Sequence, residues 1–218
     1  MGEAELIPSS GELVIHSVFY FYGEAASGSL AEQIAQDISR HWNEPRGQVS
    51  IKRQWFSVRF LIQGIFEPDI RPEDVWNNTN PQYNYFRIEE FSRLHISFVD
   101  GLGCNTGYFK MDNLLNGSTT AAHEYGHSLG LDHPPKLDIR REGQPGIMYP
   151  RGTICDPEFQ YDINALPLQP GGTLNPLTRK VLQQDIDNLK LERLRFKDGR
   201  AVKGEFSSVF HEKHLPLV

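Results

Sequence analysis

The alternation of apolar and polar positions divides the first third of the chain into strand-like and helix-like segments. Residues 12–22 are rich in β-branched and aromatic side chains and stop at Gly23, which predicts a strand. One face of a helix follows, with Ser29 as its cap and apolar residues at intervals of four: Leu30, Ile34, Ile38 and Trp42. Residues 49–66 alternate again and predict a second strand.

The remaining segments are shorter and less regular. The first eleven residues are polar, with Pro8 and Gly11, and predict a loose lead-in, while residues 69–86 predict a polar loop. Short strands are expected over residues 94–99 and 107–112.

The second half of the chain contains two predicted helices separated by an irregular stretch. The first runs from Ser118 through Leu129 and ends at Gly130, and the second starts near Pro176. Residues 134–175 are rich in proline and glycine and have little regular pattern. A stretch of about 40 residues without regular structure is unusual inside a domain and usually has a function.

Composition excludes several functional classes. The 218 residues are 39% hydrophobic and carry a net charge of −6, which fits a folded protein and argues against nucleic acid as the main partner. No apolar run approaches the ~18–20 residues of a membrane helix. The residues from Met1 to Glu5 lack the positive start and apolar core of a signal peptide.

One segment contains a candidate metal site. His123 and His127 are four residues apart, so on a helix they share one face and can ligate the same ion. Glu124 lies between them and can reach a water at that ion. Gly130 permits a sharp turn after the helix, which brings His133 back as a third nitrogen ligand. Three histidines leave the fourth position of a zinc ion open, as in catalytic sites.

Chance does not explain this spacing well. The pattern of His123, Glu124 and His127 arises by chance in about one of ~50 such sequences, and the added offsets of Gly130 and His133 lower this to roughly one in ten thousand. The alternative, a helix with solvent-facing histidines, is therefore disfavoured.

The motif resembles the extended zinc-binding consensus of the metzincin metallopeptidases, which place a Met-containing turn beneath the metal. Met148, in the segment 146–150, stands where that Met-turn is expected. The sequence of residues 123–133 and the Met-Tyr-Pro of 148–150 resemble the matrix metalloproteinase branch most. Pro134, directly after the third histidine, resembles the serralysin branch. Asp185 resembles the residue that supports the Met-turn in that family.

The resemblance implies an α+β fold with a single catalytic domain over residues 1–218. We expect a twisted, mostly parallel sheet with an antiparallel edge strand, an active-site helix, and a loop-rich C-terminal subdomain that ends in a helix. Residues 12–130 would form the N-terminal subdomain, 131–197 the C-terminal subdomain, and 198–218 a tail.

The resemblance also implies a zinc-dependent endopeptidase with one catalytic Zn²⁺. His123, His127 and His133 would hold the metal, and Glu124 would act as general base and acid. An extended peptide would pair with an exposed edge strand, for which Gly107, Tyr108 and Phe109 are the candidates. Pro150 occupies the position where some metzincins have a tyrosine, so Tyr149 receives no catalytic role.

Several alternatives stay open at this point. The chain could be a catalytically silent zinc-binding interaction module, or a protease effector that acts on one protein. Cys104 and Cys155 could form a disulfide or be independent thiols. We expect a protein or peptide substrate, no nucleic acid partner, no integral membrane segment, and a monomer. Localisation stays open: the resemblance to exported proteases favours a secreted protein whose signal was removed, whereas the lack of a signal in the sequence favours a cytosolic form. His41, near the end of the first helix, is expected to be favoured as a cation by the helix dipole.

Overall fold

The computed structural model describes residues 1–115 and 117–216. The fold is mixed α+β, as predicted, with a curled, mostly parallel sheet and four helices in the described residues. The strands are β1 (Gly2–Ile7), β2 (Glu12–Tyr22), β3 (Gln48–Ile51), β4 (Gln54–Phe66), β5 (Tyr83–Glu89), β6 (Phe98–Val99), β7 (Thr106–Lys110) and β8 (Arg200–Lys203). The helices are α1 (Gly28–Asn43), α2 (Pro72–Trp76), α3 (Thr120–Ser128) and α4 (Gln183–Asn188).

The sheet has a parallel centre and antiparallel margins. Strands β4, β2, β5 and β7 lie side by side in parallel, with β3 antiparallel outside β4 and β6 antiparallel outside β7. Along one edge of β2, strand β1 pairs with the first half and β5 pairs with the second half. Strand β8 in turn pairs with β1. This branching at β2 curls one end of the sheet.

Helix α1 covers one face of the sheet because its apolar residues recur with helical spacing. The side chain of Ser27, rather than that of Ser29, caps the helix by accepting a hydrogen bond from the N–H of Leu30. The predicted face is buried: Leu30, Ile34, Ile38 and Trp42. Gly64 of β4 lets the helix approach closely, since a Cβ there would lie 2.1 Å from the carbonyl oxygen of Ala31.

Helix α3 is anchored to this core by aromatic side chains. Trp42 of α1 donates from Nε1 to the carbonyl oxygen of Ala122 at 2.9 Å, and its ring meets the ring of Tyr125 edge to face. Tyr125 is fully buried and shares a hydrogen bond with the hydroxyl of Ser17 on β2. The position of α3, which carries the candidate metal ligands, is therefore fixed by contacts on both sides.

Two predictions in the N-terminal half are wrong. The first eleven residues are not a loose lead-in, because the alternation Gly-Glu-Ala-Glu-Leu forms strand β1 with Ala4 fully buried against the core. Residues 49–66 are a hairpin rather than one strand. The turn is made by Lys52 and Arg53, whose φ angles are 50° and 69°. Asparagine and glycine are the residues that usually adopt this conformation in a two-residue hairpin turn.

Other boundaries also differ from the sequence predictions. Within residues 94–99 only Phe98 and Val99 form a strand, since Leu94 and Ile96 are exposed and His95 has a φ of 57°. The loop predicted over 69–86 contains α2 and the start of β5. The last helix is only α4, and residues 176–178 form a 3-10 turn before it.

The loop-rich segment after α3 is present as predicted. From residue 131 to residue 182 the chain makes no helix or strand beyond two 3-10 turns. The tail then returns to the sheet: His214 stacks on Tyr108 of β7, and His211 lies 2.8 Å from a carboxylate oxygen of Asp100. Cys104 and Cys155 are both free thiols. No helix in the described part of the chain is long and apolar enough to cross a membrane.

Candidate metal centre and cleft

Helix α3 holds the candidate ligand His123 and the neighbouring Glu124 largely inside the protein. His123 and Glu124 are both 7% exposed, which is unusual for residues that prefer water. Gly126 faces the other way, onto the Met148 side chain, and a Cβ at that position would lie 2.3 Å from Met148 Sδ. Only glycine therefore fits between the helix and Met148 in this arrangement.

Gly130 turns the chain after α3. Its φ of +88° is a conformation that glycine adopts without the strain of a Cβ, and the N–H of Leu131 then donates to the carbonyl of Gly126 at 2.9 Å. The reversed chain brings His133 back beside the helix, as the sequence spacing predicts.

The three histidines converge through their Nε2 atoms. The Nε2 of His123 lies 3.0 Å from that of His133 and 3.1 Å from that of His127, and the remaining pair is 3.2 Å apart. Three nitrogens placed about 2.05 Å from a tetrahedral zinc ion would be roughly 3.3 Å apart, close to these separations. In the described residues this is the one group of three or more metal-ligating side chains close enough to hold an ion.

Hydrogen bonds at the far side of two rings fix which nitrogen faces the centre. His123 Nδ1 lies 2.7 Å from the carbonyl oxygen of Ile147, and His127 Nδ1 lies 2.7 Å from that of Leu131. A carbonyl only accepts, so each Nδ1 carries the proton and each Nε2 presents a lone pair. Two lone pairs facing each other at 3.1 Å are satisfied by a cation between them, so this donor set fits a metal ion.

The electrostatics of the site favour neutral imidazoles, which are the form that binds metal. Burial lowers the pKa of His123 well below its ordinary value, and the positive charge of Arg179 and the neighbouring imidazoles lower it further. Burial also lowers the pKa values of His127 and His133, while Asp132 opposes this shift at both rings.

Glu124 is a buried carboxyl beside the converging nitrogens. Burial raises its pKa to about 8, whereas the charge of Arg179 and the N–H of Val99 pull the pKa down. A carboxyl whose pKa lies near neutral pH can both accept and return a proton, provided that a nearby cation favours its charged form.

The segment around Met148 lies beneath the histidines and supports them. The carbonyl of Ile147 accepts the His123 hydrogen bond, and Met148, 3% exposed, packs on Gly126. Asp185 of α4 lies behind this segment, and its carboxylate accepts the N–H of Leu182 at 2.8 Å. Burial raises the pKa of Asp185 to about 6, while the N–H groups of Leu182 and Ile147 oppose that rise. The structure thus places Met148 against α3, Asp185 beside residues 146–147, and Gly130 at the turn between His127 and His133.

A cleft of about 620 Å³ opens over the three histidines and Glu124. One wall is the loop before β6 and β6 itself, from Ile96 to Val99, and the other is the chain after Met148, from Pro150 to Gly152. Gly107, Tyr108 and Phe109 belong to β7, which has β5 on one side and β6 on the other. The prediction that they form the exposed edge is corrected: the edge along the cleft is β6.

Sequence reasoning missed two cleft residues, Arg179 and Arg151. Arg179 is 5% exposed and lies 56 residues beyond His123 in the chain, yet its Nη1 is 3.0 Å from His123 Nδ1. Since that Nδ1 donates its proton to Ile147, this contact is not a hydrogen bond, and Nη1 donates instead to the carbonyl of Tyr149 at 3.0 Å. No local pattern marks Arg179, because only the folded loop brings it to the site.

Compared with known proteins, the chain matches no protein-family model and no curated sequence. The structural likeness therefore rests on the residues themselves. The cluster of His123, His127 and His133 could hold a metal ion, with a donor set consistent with zinc, and together with the curled α+β sheet it fits a metzincin-like zinc site.

Proposed function

We propose that this protein is a zinc-dependent endopeptidase of the metzincin type. The observation that carries the proposal is the convergence of three histidine Nε2 atoms at 3.0–3.2 Å beside the buried carboxyl of Glu124, at the floor of an open cleft. Three ligands with an open fourth position are typical of catalytic zinc rather than of structural zinc.

Each part of the site has a role in peptide hydrolysis. A bound zinc ion supplies a Lewis acid that polarises a carbonyl and lowers the pKa of a water from ~15.7 toward ~7. Glu124 accepts the proton of the attacking water and later donates it to the leaving amine, so no nucleophilic side chain is needed. The Nδ1–H groups of His123 and His127 donate to the carbonyl oxygens of Ile147 and Leu131. These hydrogen bonds hold both rings in one orientation during the reaction.

The cleft also suits an extended peptide. Strand β6 pairs with β7 along one edge, and in the described residues its other edge is open. Residues 96–99 line the cleft. A peptide laid along β6 would gain main-chain hydrogen bonds and pass over the histidines. Ile96 and Leu102 are exposed by 54% and 49% and offer apolar contacts to its side chains.

The test separates metal binding from catalysis. We expect wild type to bind about one zinc per chain and to cleave members of a broad peptide library. Glu124→Gln keeps the shape of the side chain and the three ligands, so it should retain zinc while kcat falls by roughly 10²–10⁴-fold. Glu32→Gln, on the exposed face of α1, is the matched control and should behave as wild type.

Two outcomes would contradict the proposal. If zinc-loaded wild type cleaves no member of the library, the site is a binding module. If Glu124→Gln cleaves as fast as wild type, the carboxyl is not the general base.

A further inference from the structure

One end of the cleft is positively charged although the whole chain carries a net charge of −6. Arg179 and Arg151 both line it. Burial lowers the pKa of Arg179 to about 10, the negative charge of Glu124 opposes this shift, and the positive charge of Arg151 adds to it. Glu124 is the one carboxylate among the described lining residues. The sign of this cleft is therefore opposite to that of the protein around it.

Arg179 is buried without a partner carboxylate. Its Nε and Nη2 donate to Thr119 Oγ1 at 3.1 and 2.8 Å, and its Nη1 donates to the carbonyl of Tyr149. A guanidinium has five N–H groups, so one on Nη1 and one on Nη2 remain after these bonds. In the described part of the chain, no carboxylate lies within 4.0 Å of Arg179 or of Arg151.

Burying a cation with no carboxylate in direct contact is costly, and such groups usually bind an oppositely charged partner or a ligand. The neutral oxygens around Arg179 hold the guanidinium rigidly, with Thr119 at the start of α3 and Tyr149 just after the Met-turn. Its planar fork is suited to bind a carboxylate through two parallel hydrogen bonds. Arg151 is exposed and adds a second positive charge to the same end of the cleft.

The position of Arg179 relates this charge to the reacting centre. The imidazole ring of His123 separates Arg179 Nη1 from the converging Nε2 atoms, so the cation lies one ring beyond the metal site. A substrate group that reaches this end must come from a residue next to the bond over the histidines. The opposite wall, with Ile96 and Leu102, is apolar and offers no such charge.

We propose that Arg179 and Arg151 bind a carboxylate of the substrate and thereby direct the site to acidic peptides. This inference rests on the proposed peptidase function. The carboxylate has two chemical sources, an aspartate or glutamate side chain beside the scissile bond or the terminal carboxylate of a short peptide.

Binding to an inactive variant tests the inference without turnover. Zinc-loaded Glu124→Gln is titrated by calorimetry with peptides of equal length that carry glutamate or glutamine at one position at a time, each with a free or an amidated C-terminus. We expect glutamate at one position to tighten Kd by about 10-fold or more over glutamine. If a free C-terminus tightens Kd over an amidated one while glutamate and glutamine peptides bind equally, the terminal carboxylate is the ligand.

Arginine variants then assign the effect. Arg151→Gln, at an exposed position, should reduce the acid preference without unfolding the protein, and Arg179→Lys should retain part of it. Arg179→Gln should abolish it, with zinc content as the check that the site is intact. Arg195→Gln is the matched control, since this exposed arginine lies outside the cleft.

The inference and the proposed function fail in different ways. Equal Kd values for glutamate, glutamine, free and amidated peptides overturn the inference, as does the absence of any measurable peptide binding. An acid preference that persists in both Arg179→Gln and Arg151→Gln also overturns it. Acid-selective binding by a wild type that cleaves nothing would overturn the peptidase and leave the carboxylate site standing.

Discussion

Substitution of Gly126 by alanine probes the contact between α3 and the turn that contains Met148. A Cβ at this position would lie 2.3 Å from Met148 Sδ, 3.2 Å from Met148 Cε and 3.3 Å from Trp42 Cζ2. Met148 and Trp42 are 3% and 0% exposed, so neither side chain has open space to move into. We therefore expect Gly126→Ala to destabilise the protein, although alanine is the better helix former.

The magnitude follows from two opposing effects. Overpacking of a filled core costs about 1–3 kcal/mol. Glycine to alanine inside a helix gains about 1 kcal/mol. The net loss is about 0–2 kcal/mol, and because 1 kcal/mol corresponds to about 2–4 °C in a protein of this size, Tm should fall by up to roughly 8 °C.

A double-mutant cycle isolates the clash from the helix propensity. In a Met148→Ala background the obstructing sulfur is absent, so Gly126→Ala should become neutral or stabilising, giving a coupling energy of about 1–3 kcal/mol. Gly28→Ala, in the first turn of α1 with nothing within 4 Å of its Cβ, is the matched control and should not destabilise. Urea unfolding of the four zinc-free variants measures the coupling. A coupling energy within about 0.5 kcal/mol of zero would refute the packing assigned to Met148.

Three further substitutions test the turn at Gly130, the buried imidazole of His41, and the contact of Asp185 with the segment around Met148. Gly130→Ala should cost about 1–2 kcal/mol and weaken zinc binding, because φ is +88°, while Gly130→Asn should cost less; equal chelator-competition affinities for both variants would contradict this. Burial and the charges of nearby arginines lower the pKa of His41 below 6.5, against the pull of nearby carboxylates, so the unfolded chain takes up the proton first as pH falls. Stability from this group is thus complete above about pH 6.5 and declines as pH falls toward the folded pKa, and urea titrations should show a smaller decline in His41→Gln; an unchanged slope would refute it. Asp185→Ala leaves the partly buried N–H of Leu182 without its acceptor and should cost about 1–3 kcal/mol, whereas Asp187→Ala, on the exposed side of α4, should change stability by less than about 0.5 kcal/mol; a similar loss in both would contradict the role of Asp185.

Long periodic patterns predicted the fold correctly where one face of an element is buried. Strand β2 begins and ends at the predicted residues, and α1 buries the predicted apolar face, because these elements meet the core along their whole length. Strand β1 was missed because its buried positions are glycine and alanine, which carry a weak hydrophobic signal. Residues 94–96 were wrongly assigned to a strand, since Leu94 and Ile96 are apolar but exposed.

The same contrast holds for the site. The ligands His123, His127 and His133 were predictable because helix geometry and one glycine turn relate them over eleven residues. His41 was expected to be favoured as a cation, but its ring nitrogens are buried without hydrogen bonds among the described residues, and its pKa is lowered. Arg179 could not be predicted, because its place beside His123 depends on the path of the long loop that precedes it.

The coordination of zinc tests the central claim most directly. X-ray absorption of the zinc-loaded protein, with the metal at one equivalent, reports the number and type of ligand atoms. We predict three imidazole nitrogens at ~2.0–2.1 Å and one further light atom, with no sulfur. A sulfur shell at ~2.3 Å, or fewer than three imidazoles, would contradict a site made of His123, His127 and His133.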